Sequence, residues 1–341
     1  MGYFSDVIGN DTVKMRMGQL IRQNKLPHAL ILEGPKGSGK GFFARRLAAA
    51  LLCQNRADQT RDLPCMHCSA CRKVLEDNSP DVRYLKREDK ATIGVDPIRE
   101  IRSDMYLSST EGEKKIYIIE EAHTMTVAAQ NALLIVLEEP PENVHIILTA
   151  ETREALLTTI RSRAQTVRMS LLSKEALIEF GEGQAIVSQL KKTNPEAYWE
   201  ALLAAGGRAG ELLRLADRSE VSALIATREN IYRLIGALAE RKGLSAVLEC
   251  VKAMSGKRKD LPEDLSALLL AVRDLCLLDK DDNAPLLFYT NREVARLHAN
   301  ALGGRRLNAI YDIVLDTIES LGHNANLNLL QTGLATALVA G

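Results

Sequence analysis

The segment "GPKGSGKG", which begins at Gly34, constrains the fold of this chain more than any other feature. It follows the apolar run "ALILE" and precedes the helical pattern "FFARRLAAALL". Gly34, Gly37 and Gly39 permit backbone conformations closed to other residues, so the N–H groups around Ser38 can surround a phosphate where a helix begins. Lys40 would reach the β and γ phosphates. The order of strand, loop and helix favours a phosphate-binding loop over a chance glycine-rich turn.

Gly41 departs from the usual pattern of such loops, because a Ser or Thr normally stands there and its hydroxyl holds magnesium. Glycine supplies no ligand oxygen, and inside a helix it costs about 1 kcal/mol relative to alanine. The backbone cradle and Lys40 do not depend on that hydroxyl, so nucleotide binding can survive the change. Hydrolysis depends more directly on the metal. The sequence therefore leaves binding of ATP and magnesium open and predicts ATPase activity that is absent or weak.

A second apolar run, "KIYII", ends at the acids Glu120 and Glu121. An ATPase places a magnesium-organising acid followed by a water-activating acid at such a point. Glu120 stands where Asp is usual, and its extra methylene moves the carboxylate outward, which is a second departure at the same metal site. The alternative is that the two acids merely begin a helix, where the dipole favours negative charge. The phosphate loop favours the first interpretation, with Glu121 as the candidate catalytic acid.

The 341 residues, of which 46% are hydrophobic, are enough for two or three domains. Apolar runs alternate with helical stretches in the first half, a pattern typical of a parallel sheet flanked by helices. From about Ser170 onward, Leu- and Ala-rich segments with helical spacing take over. We expect four strands in an α/β first half, at "HALILEG", "DVRYLK", "KIYIIEE" and "VHIILTA", and an all-helical second half.

Charge and hydropathy exclude two classes of protein. Lys plus Arg equals Asp plus Glu, at 44 each, which argues against a dedicated nucleic-acid binder such as a stand-alone zinc-dependent one. No apolar run approaches the length of about 20 residues needed to span a bilayer, and the first ten residues contain no secretory apolar region. We therefore expect a cytoplasmic protein with no membrane partner.

Four clustered cysteines predict a metal site. Cys65, Cys68 and Cys71 are each separated by two residues, and Cys53 lies eleven intervening residues upstream. Four thiolates can surround one zinc ion tetrahedrally at about 2.3 Å, and such a closed site is structural rather than catalytic. The alternatives are unliganded thiols and an iron–sulfur cluster, which commonly uses a further cysteine before a proline. His67 could substitute for one ligand.

Three segments of the first half carry a family pattern: "FSDVIGNDTVKMRMGQLIRQNKLPHALILEGPKGSGKG", "IIEEAHTMTVAAQNALLIVLEEPPENVHIILTAE" and "LLTTIRSRAQTVRM". Together they resemble the AAA+ subunits of the bacterial DNA polymerase III clamp loader. The likeness is strong over roughly residues 4–169 and is greatest to the delta prime subunit, rather than to the motor subunit that forms gamma and tau. Two positions depart from the family pattern: Ile135 replaces a lysine in N-A-L-L-K-x-L-E-E-P, and Ala164 replaces the cysteine of S-R-C.

The resemblance implies a particular domain order. Residues 1–168 would form an AAA+ nucleotide-type α/β domain, with a zinc module at about residues 53–71 like the four-cysteine module of the family. Residues 169–218 would form a helical lid. Residues 219–341 would form an all-helical C-terminal domain that joins the oligomeric collar.

The resemblance also implies partners. Such subunits form a pentameric ring of one delta, three motor (gamma/tau) and one delta prime subunit, which opens the sliding clamp and places it on primed DNA. The arginine of S-R-x, here Arg163, lies across a subunit interface in these rings and serves as an arginine finger for the neighbour's nucleotide. Arg161 could do this work instead, or either could be an ordinary surface cation.

Two further residues stand at or near positions where related ATPases have nucleotide sensors. Thr149 ends the strand "VHIILT", where related ATPases sense the γ-phosphate, although strand propensity alone also favours threonine there. Arg208 stands near the position of the sensor arginine in the lid, with a solvated arginine at a helix start as the alternative. The sequence thus predicts a non-motor clamp-loader subunit. A motor-type clamp-loader ATPase of the gamma/tau kind is the alternative, because Lys40 and the loop glycines are intact.

Overall fold

A computed structural model of the protein describes residues 2–87, 92–254, 261–284, 286–289, 291–321 and 326–340. The chain divides into two compact units. The first consists of Met1–Phe180 with Gly207–Gly210, and the second of Gly181–Gly206 with Glu211–Gly341. The division into nucleotide domain, lid and collar stays a prediction.

A five-stranded parallel sheet lies in the first unit, in the order β2-β3-β4-β1-β5. The four predicted strands are confirmed, and a fifth was missed. β5 has one buried residue, Val167, so it lacks the apolar run by which the others were recognised. The strands are β1 (Ala29–Glu33), β2 (Val82–Leu85), β3 (Lys115–Ile119), β4 (Val144–Ala150) and β5 (Gln165–Arg168).

Helices cover both faces of this sheet. Alternate side chains of β1 and β3 enter two separate apolar cores, with Leu30 and Ile118 in one and Ile31 and Ile119 in the other. A strand buried on both faces reads as a continuous apolar run, which explains the sequence pattern. The helices up to residue 182 are α1 (Asp11–Arg22), α2 (Lys40–Leu52), α3 (Ser69–Leu75), α4 (Val95–Met105), α5 (Val127–Glu138), α6 (Thr158–Arg163) and α7 (Lys174–Glu182), with short 3₁₀ turns at Ala122–Thr124 and Arg153–Ala155.

Strand order determines where the chemistry collects. In a parallel sheet all carboxyl ends meet at one edge, and ligands bind where the strand connections diverge. β1 lies between β4 and β5, and Glu33 at its end pairs with Ala150. The phosphate loop after β1, the acids after β3 and Thr149 near the end of β4 therefore share one edge.

The second unit is helical throughout its described residues, as the sequence predicts. Its core is built mainly from leucine, isoleucine and valine side chains of the last five helices. The longest, α14, contains a kink at Gly303, whose φ of +73° breaks the helical path. Among the described residues no helix is long and apolar enough to cross a lipid bilayer. The helices are α8 (Ala185–Thr193), α9 (Pro195–Ala205), α10 (Ala209–Leu215), α11 (Arg218–Ala239), α12 (Leu244–Met254), α13 (Leu261–Leu278), α14 (Arg292–Ser320) and α15 (Leu327–Ala340).

Candidate functional site: a phosphate loop and a four-cysteine cluster

The phosphate loop joins β1 to α2, and its glycines are required by geometry. Gly37 and Gly39 have φ values of +80° and +88°, in the region that side chains disfavour. A Cβ on Gly34 would lie 2.6 Å from the backbone oxygen of Met169. No side chain caps α2, whose N-cap is Gly39. The first N–H groups of this helix can therefore bind an anion.

Two polar side chains of the loop face inward. The Lys40 ammonium group donates hydrogen bonds to the backbone oxygens of Gly34 at 2.6 Å and Pro35 at 2.7 Å. Burial lowers the pKa of Lys40, although the charges of Glu151 and Glu121 oppose that shift. Ser38 is buried, and its hydroxyl has no hydrogen-bond partner. A phosphate in the loop would offer both groups an acceptor.

The carboxylate of Glu120 lies beside the position that a side chain at residue 41 would take. A Cβ on Gly41 would lie 3.3 Å from Glu120 Oε1, and Lys86 Nζ lies 3.7 Å from the same oxygen. Magnesium requires near-ideal octahedral coordination by oxygen ligands. Position 41 supplies no oxygen, and the carboxylate already has a cation beside it. The residues present therefore do not fit the magnesium ion of a usual phosphate loop.

Glu121, the second acid, is held in place through its backbone N–H group. Glu121 has a φ of +51°, and its N–H donates a hydrogen bond to Thr149 Oγ1 at 3.0 Å. Its carboxylate lies 3.4 Å from Arg87 Nε. The structure thus brings Thr149 and Glu121 together, whereas their roles as sensor and catalytic acid stay predictions.

A short segment from much later in the sequence, Gly207–Gly210, also contacts the phosphate loop. The N–H of Gly210 donates a hydrogen bond to the backbone oxygen of Gly37 at 3.0 Å. A Cβ on Gly210 would lie 3.4 Å from Gly37 Cα, which is ordinary van der Waals contact. Arg208 belongs to this segment, and its sensor role stays a prediction.

Arg163 ends α6 and forms an ion pair with a residue that sequence analysis missed. Its Nη2 atom lies 2.9 Å from Glu138 Oε1, at the end of α5. Its Nη1 atom donates hydrogen bonds to the backbone oxygen of Thr159 and the hydroxyl of Ser162. These bonds orient the guanidinium group on the surface formed by α5 and α6. The motif L-E-E-P contains Glu138, but nothing in the local sequence identifies its partner.

Arg161 differs from Arg163 in its surroundings. Its Nη2 atom donates a hydrogen bond to Thr158 Oγ1 at 2.9 Å, while its Nε atom is buried without a partner. Arg163 instead keeps a side chain that is 36% exposed. Arg163 is therefore the more accessible of the two candidate finger residues.

The four predicted cysteines form one cluster. The Sγ atoms of Cys53, Cys65, Cys68 and Cys71 all lie within 4.8 Å of one another, and those of Cys65 and Cys71 are 4.0 Å apart. Tetrahedral zinc–sulfur bonds of about 2.3 Å place sulfur atoms roughly 3.8 Å apart. The four residues therefore fit a structural zinc ion. The group does not include His67.

Local structure holds these sulfur atoms in place. Cys53 terminates α2, and Cys68 caps α3 by accepting a hydrogen bond from the N–H of Cys71 at 3.4 Å. Asn55 Nδ2 donates to Cys65 Sγ at 3.4 Å. A hydrogen bond from Cys71, together with backbone N–H groups, lowers the pKa of Cys53 to about 5, and the same bond raises the pKa of Cys71. Cys53 therefore carries the thiolate of this pair, and the thiolate is the form that binds metal.

Comparison with known proteins finds relatives among DNA polymerase III subunits. Residues 9–173 match the family model described as DNA polymerase III, delta subunit. The delta prime subunit of Bacillus subtilis (strain 168) is 27% identical over 324 residues, which cover 94% of this chain and 93% of that protein. The tau subunit of the same organism is 29% identical over 287 residues, which cover 80% of this chain and 50% of that protein.

A gamma subunit from Buchnera aphidicola subsp. Acyrthosiphon pisum is 33% identical over 178 residues, which cover 52% of this chain and 48% of that protein. The chain thus spans about half the length of the tau and gamma relatives that it matches. The family-model match includes the phosphate loop, the acid pair and the four cysteines. The chain is thus similar to DNA polymerase III subunits of the delta, gamma, tau and delta prime kinds, over residues 9–173 for the family model and over 94% of its length for the Bacillus delta prime subunit.

Proposed function

We propose that this chain is a delta prime-like, non-motor subunit of the clamp loader. It would help to load the sliding clamp onto primed DNA in the cytoplasm, and it would supply Arg163 to the nucleotide site of a neighbouring ATPase subunit. The observation that carries the proposal is the contact among Gly41, Glu120 and Lys86, because it replaces the magnesium ligands that a motor needs.

The chain's own ATPase activity would be absent or weak for two reasons. A magnesium ion normally bridges the phosphates and neutralises the charge that develops during transfer, and the residues here do not fit that ion. Glu121, the candidate acid for activating water, is paired with Arg87. The alignment over 93% of the Bacillus delta prime subunit supports the same assignment.

Arg163 would act on another subunit. Its bonds are made to α5 and α6, and its guanidinium group is exposed enough to exchange Glu138 for a phosphate. The partners would be the motor (gamma/tau) and delta subunits of a hetero-pentameric ring. The zinc ion would stabilise the first unit without taking part in chemistry.

The test compares reconstituted clamp-loader complexes that contain the wild-type chain, the Arg163→Ala chain or the Arg161→Ala chain. Removing an arginine finger lowers the rate at the site that it serves by about 10³ to 10⁵. Only the motor site that faces this subunit should fail, so Arg163→Ala should impair clamp loading and abolish part of the DNA-stimulated ATPase. Arg161→Ala is the matched control and should change neither.

Assembly is checked by gel filtration and folding by zinc content. If correctly assembled Arg163→Ala complexes keep full ATPase and loading rates, Arg163 is a surface cation and the assignment is wrong. A loss that is confined to Arg161→Ala would transfer the role to that residue.

The alternative function is a motor-type ATPase of the gamma/tau kind. It is favoured by the intact glycines and by Lys40, whose ammonium group lies inside the loop. Steady ATP turnover by the isolated wild-type chain, with magnesium and without partners, would establish it. Thr149 and Arg208 would then be its candidate nucleotide sensors.

A further inference from the structure

The cluster formed by Gly41, Glu120 and Lys86 does more than remove a metal site. We propose that the phosphate loop binds a nucleoside di- or triphosphate without a divalent cation, and that the Lys86 ammonium group takes the place of the metal as counter-ion of Glu120. The inference rests on the proposed function in one respect only, since it takes the loop to be a nucleotide site without turnover.

The first step of the argument is steric. Position 41 has lost a side chain and position 120 has gained a methylene relative to the usual pair. The two changes are complementary, because the carboxylate of Glu120 reaches to within 3.3 Å of where a Cβ of Gly41 would stand. A side chain at position 41 would therefore crowd the carboxylate of Glu120, which would have to shift by a few tenths of an ångström.

The second step concerns charge. An unneutralised carboxylate beside a phosphate loop would repel the ligand. Lys86, at the carboxyl end of β2, places its ammonium group 3.7 Å from Glu120 Oε1, the oxygen that approaches Gly41. A divalent ion would have to compete with Lys86 for this carboxylate while gaining no ligand from position 41. The Lys86 ammonium group therefore balances the acid without recruiting a metal.

The third step concerns hydrogen-bond donors inside the loop that a bound phosphate would satisfy. Ser38 is 7% exposed and its buried hydroxyl lacks a partner. Leaving such a group unpaired costs about 1–3 kcal/mol, so a bound acceptor would recover that energy. Lys40 meanwhile donates to loop carbonyls, which a phosphate can replace. These donors suit a polyphosphate, and none of them requires magnesium.

The experiment is calorimetric titration of the full-length chain with ADP, once in EDTA and once in excess magnesium chloride. We expect dissociation constants that agree within about twofold, because no protein ligand depends on the metal. Binding that appears only with magnesium would overturn the proposal. Absence of binding in both buffers would also overturn it. Neither result would disprove the assignment of Arg163, which is read from assembled complexes.

Lys86→Met provides the direct test of the counter-ion. Without Lys86 the Glu120 carboxylate would repel the bound phosphates, which should weaken ADP binding in EDTA about tenfold, and magnesium should restore part of the loss. Lys25→Met is the matched control, since Lys25 is exposed and precedes the opposite end of β1. It should leave binding unchanged. Zinc content and the melting temperature report folding of both variants. Unaltered binding by folded Lys86→Met in EDTA would refute the role of Lys86.

Discussion

The substitution Gly41→Ser tests whether Glu120 really fills the vacant space. Serine is about 0.5 kcal/mol better than glycine inside a helix, so an unobstructed site would gain that amount. Here the new Cβ would lie 3.3 Å from Glu120 Oε1 and 3.6 Å from Cδ, and crowding of this kind costs about 1 kcal/mol at the lower end of its range. We use the lower end because the Glu120 side chain is 23% exposed and can shift. The expected net loss of unfolding free energy is about 0.5 kcal/mol.

Glu120→Asp removes the methylene that causes the crowding. Alone it would weaken the half-exposed pair with Lys86, at a cost of at most about 1 kcal/mol. In the double variant the crowding would be absent, so serine would contribute its advantage of about 0.5 kcal/mol over glycine inside a helix. The coupling energy between positions 41 and 120 should therefore be favourable by about 1 kcal/mol.

The assay is urea unfolding of the wild-type chain, both single variants and the double variant at saturating zinc, followed by circular dichroism. In parallel, the double variant should gain more magnesium-dependent nucleotide binding than either single variant, because both changes rebuild one ion site. Unfolding free energies that add to within about 0.3 kcal/mol would show that Glu120 does not occupy the space beside Gly41.

Two other predictions concern stability. Cys68→Ser should lose one zinc ion per chain by elemental analysis and melt at a lower temperature, because structural metal binding is coupled to folding. The control Cys250→Ser should keep both its zinc and its melting temperature. A zinc-free Cys68→Ser protein with unchanged melting would contradict this prediction. His145 donates to the Pro27 oxygen and contacts Lys114 Nζ, and burial, with the Lys114 charge, lowers its pKa from 6.5 to about 4. As the pH falls, His145 is therefore protonated at a higher pH in the unfolded chain than in the folded chain. The free energy of unfolding should then decline between pH 6.5 and about 4, by up to about 3 kcal/mol. The stability difference between wild type and His145→Gln should show this slope, and a constant difference would exclude it.

Several features of this protein were determined by local sequence. The phosphate loop was recognisable because glycine spacing and an adjoining apolar strand are short-range properties. Four buried strands were apparent because burial on both faces demands an unbroken apolar run. The cysteine spacing predicted the cluster for a similar reason, since three ligands belong to one short segment. β5 was not predicted because a half-exposed strand with one buried residue contains no such run.

Other features depended on the tertiary structure, because they join residues that are distant in the chain. The sequence showed that Gly41 and Glu120 each depart from the usual pattern, but only parallel packing of β1 and β3 on either side of β4 brings the two changes into contact. The same packing aligns Lys86 at the end of β2 with the acids after β3. The pairing of Arg163 with Glu138 likewise follows from the contact between α5 and α6. Side-chain type determines what each residue can bind, whereas strand order determines which of these residues meet.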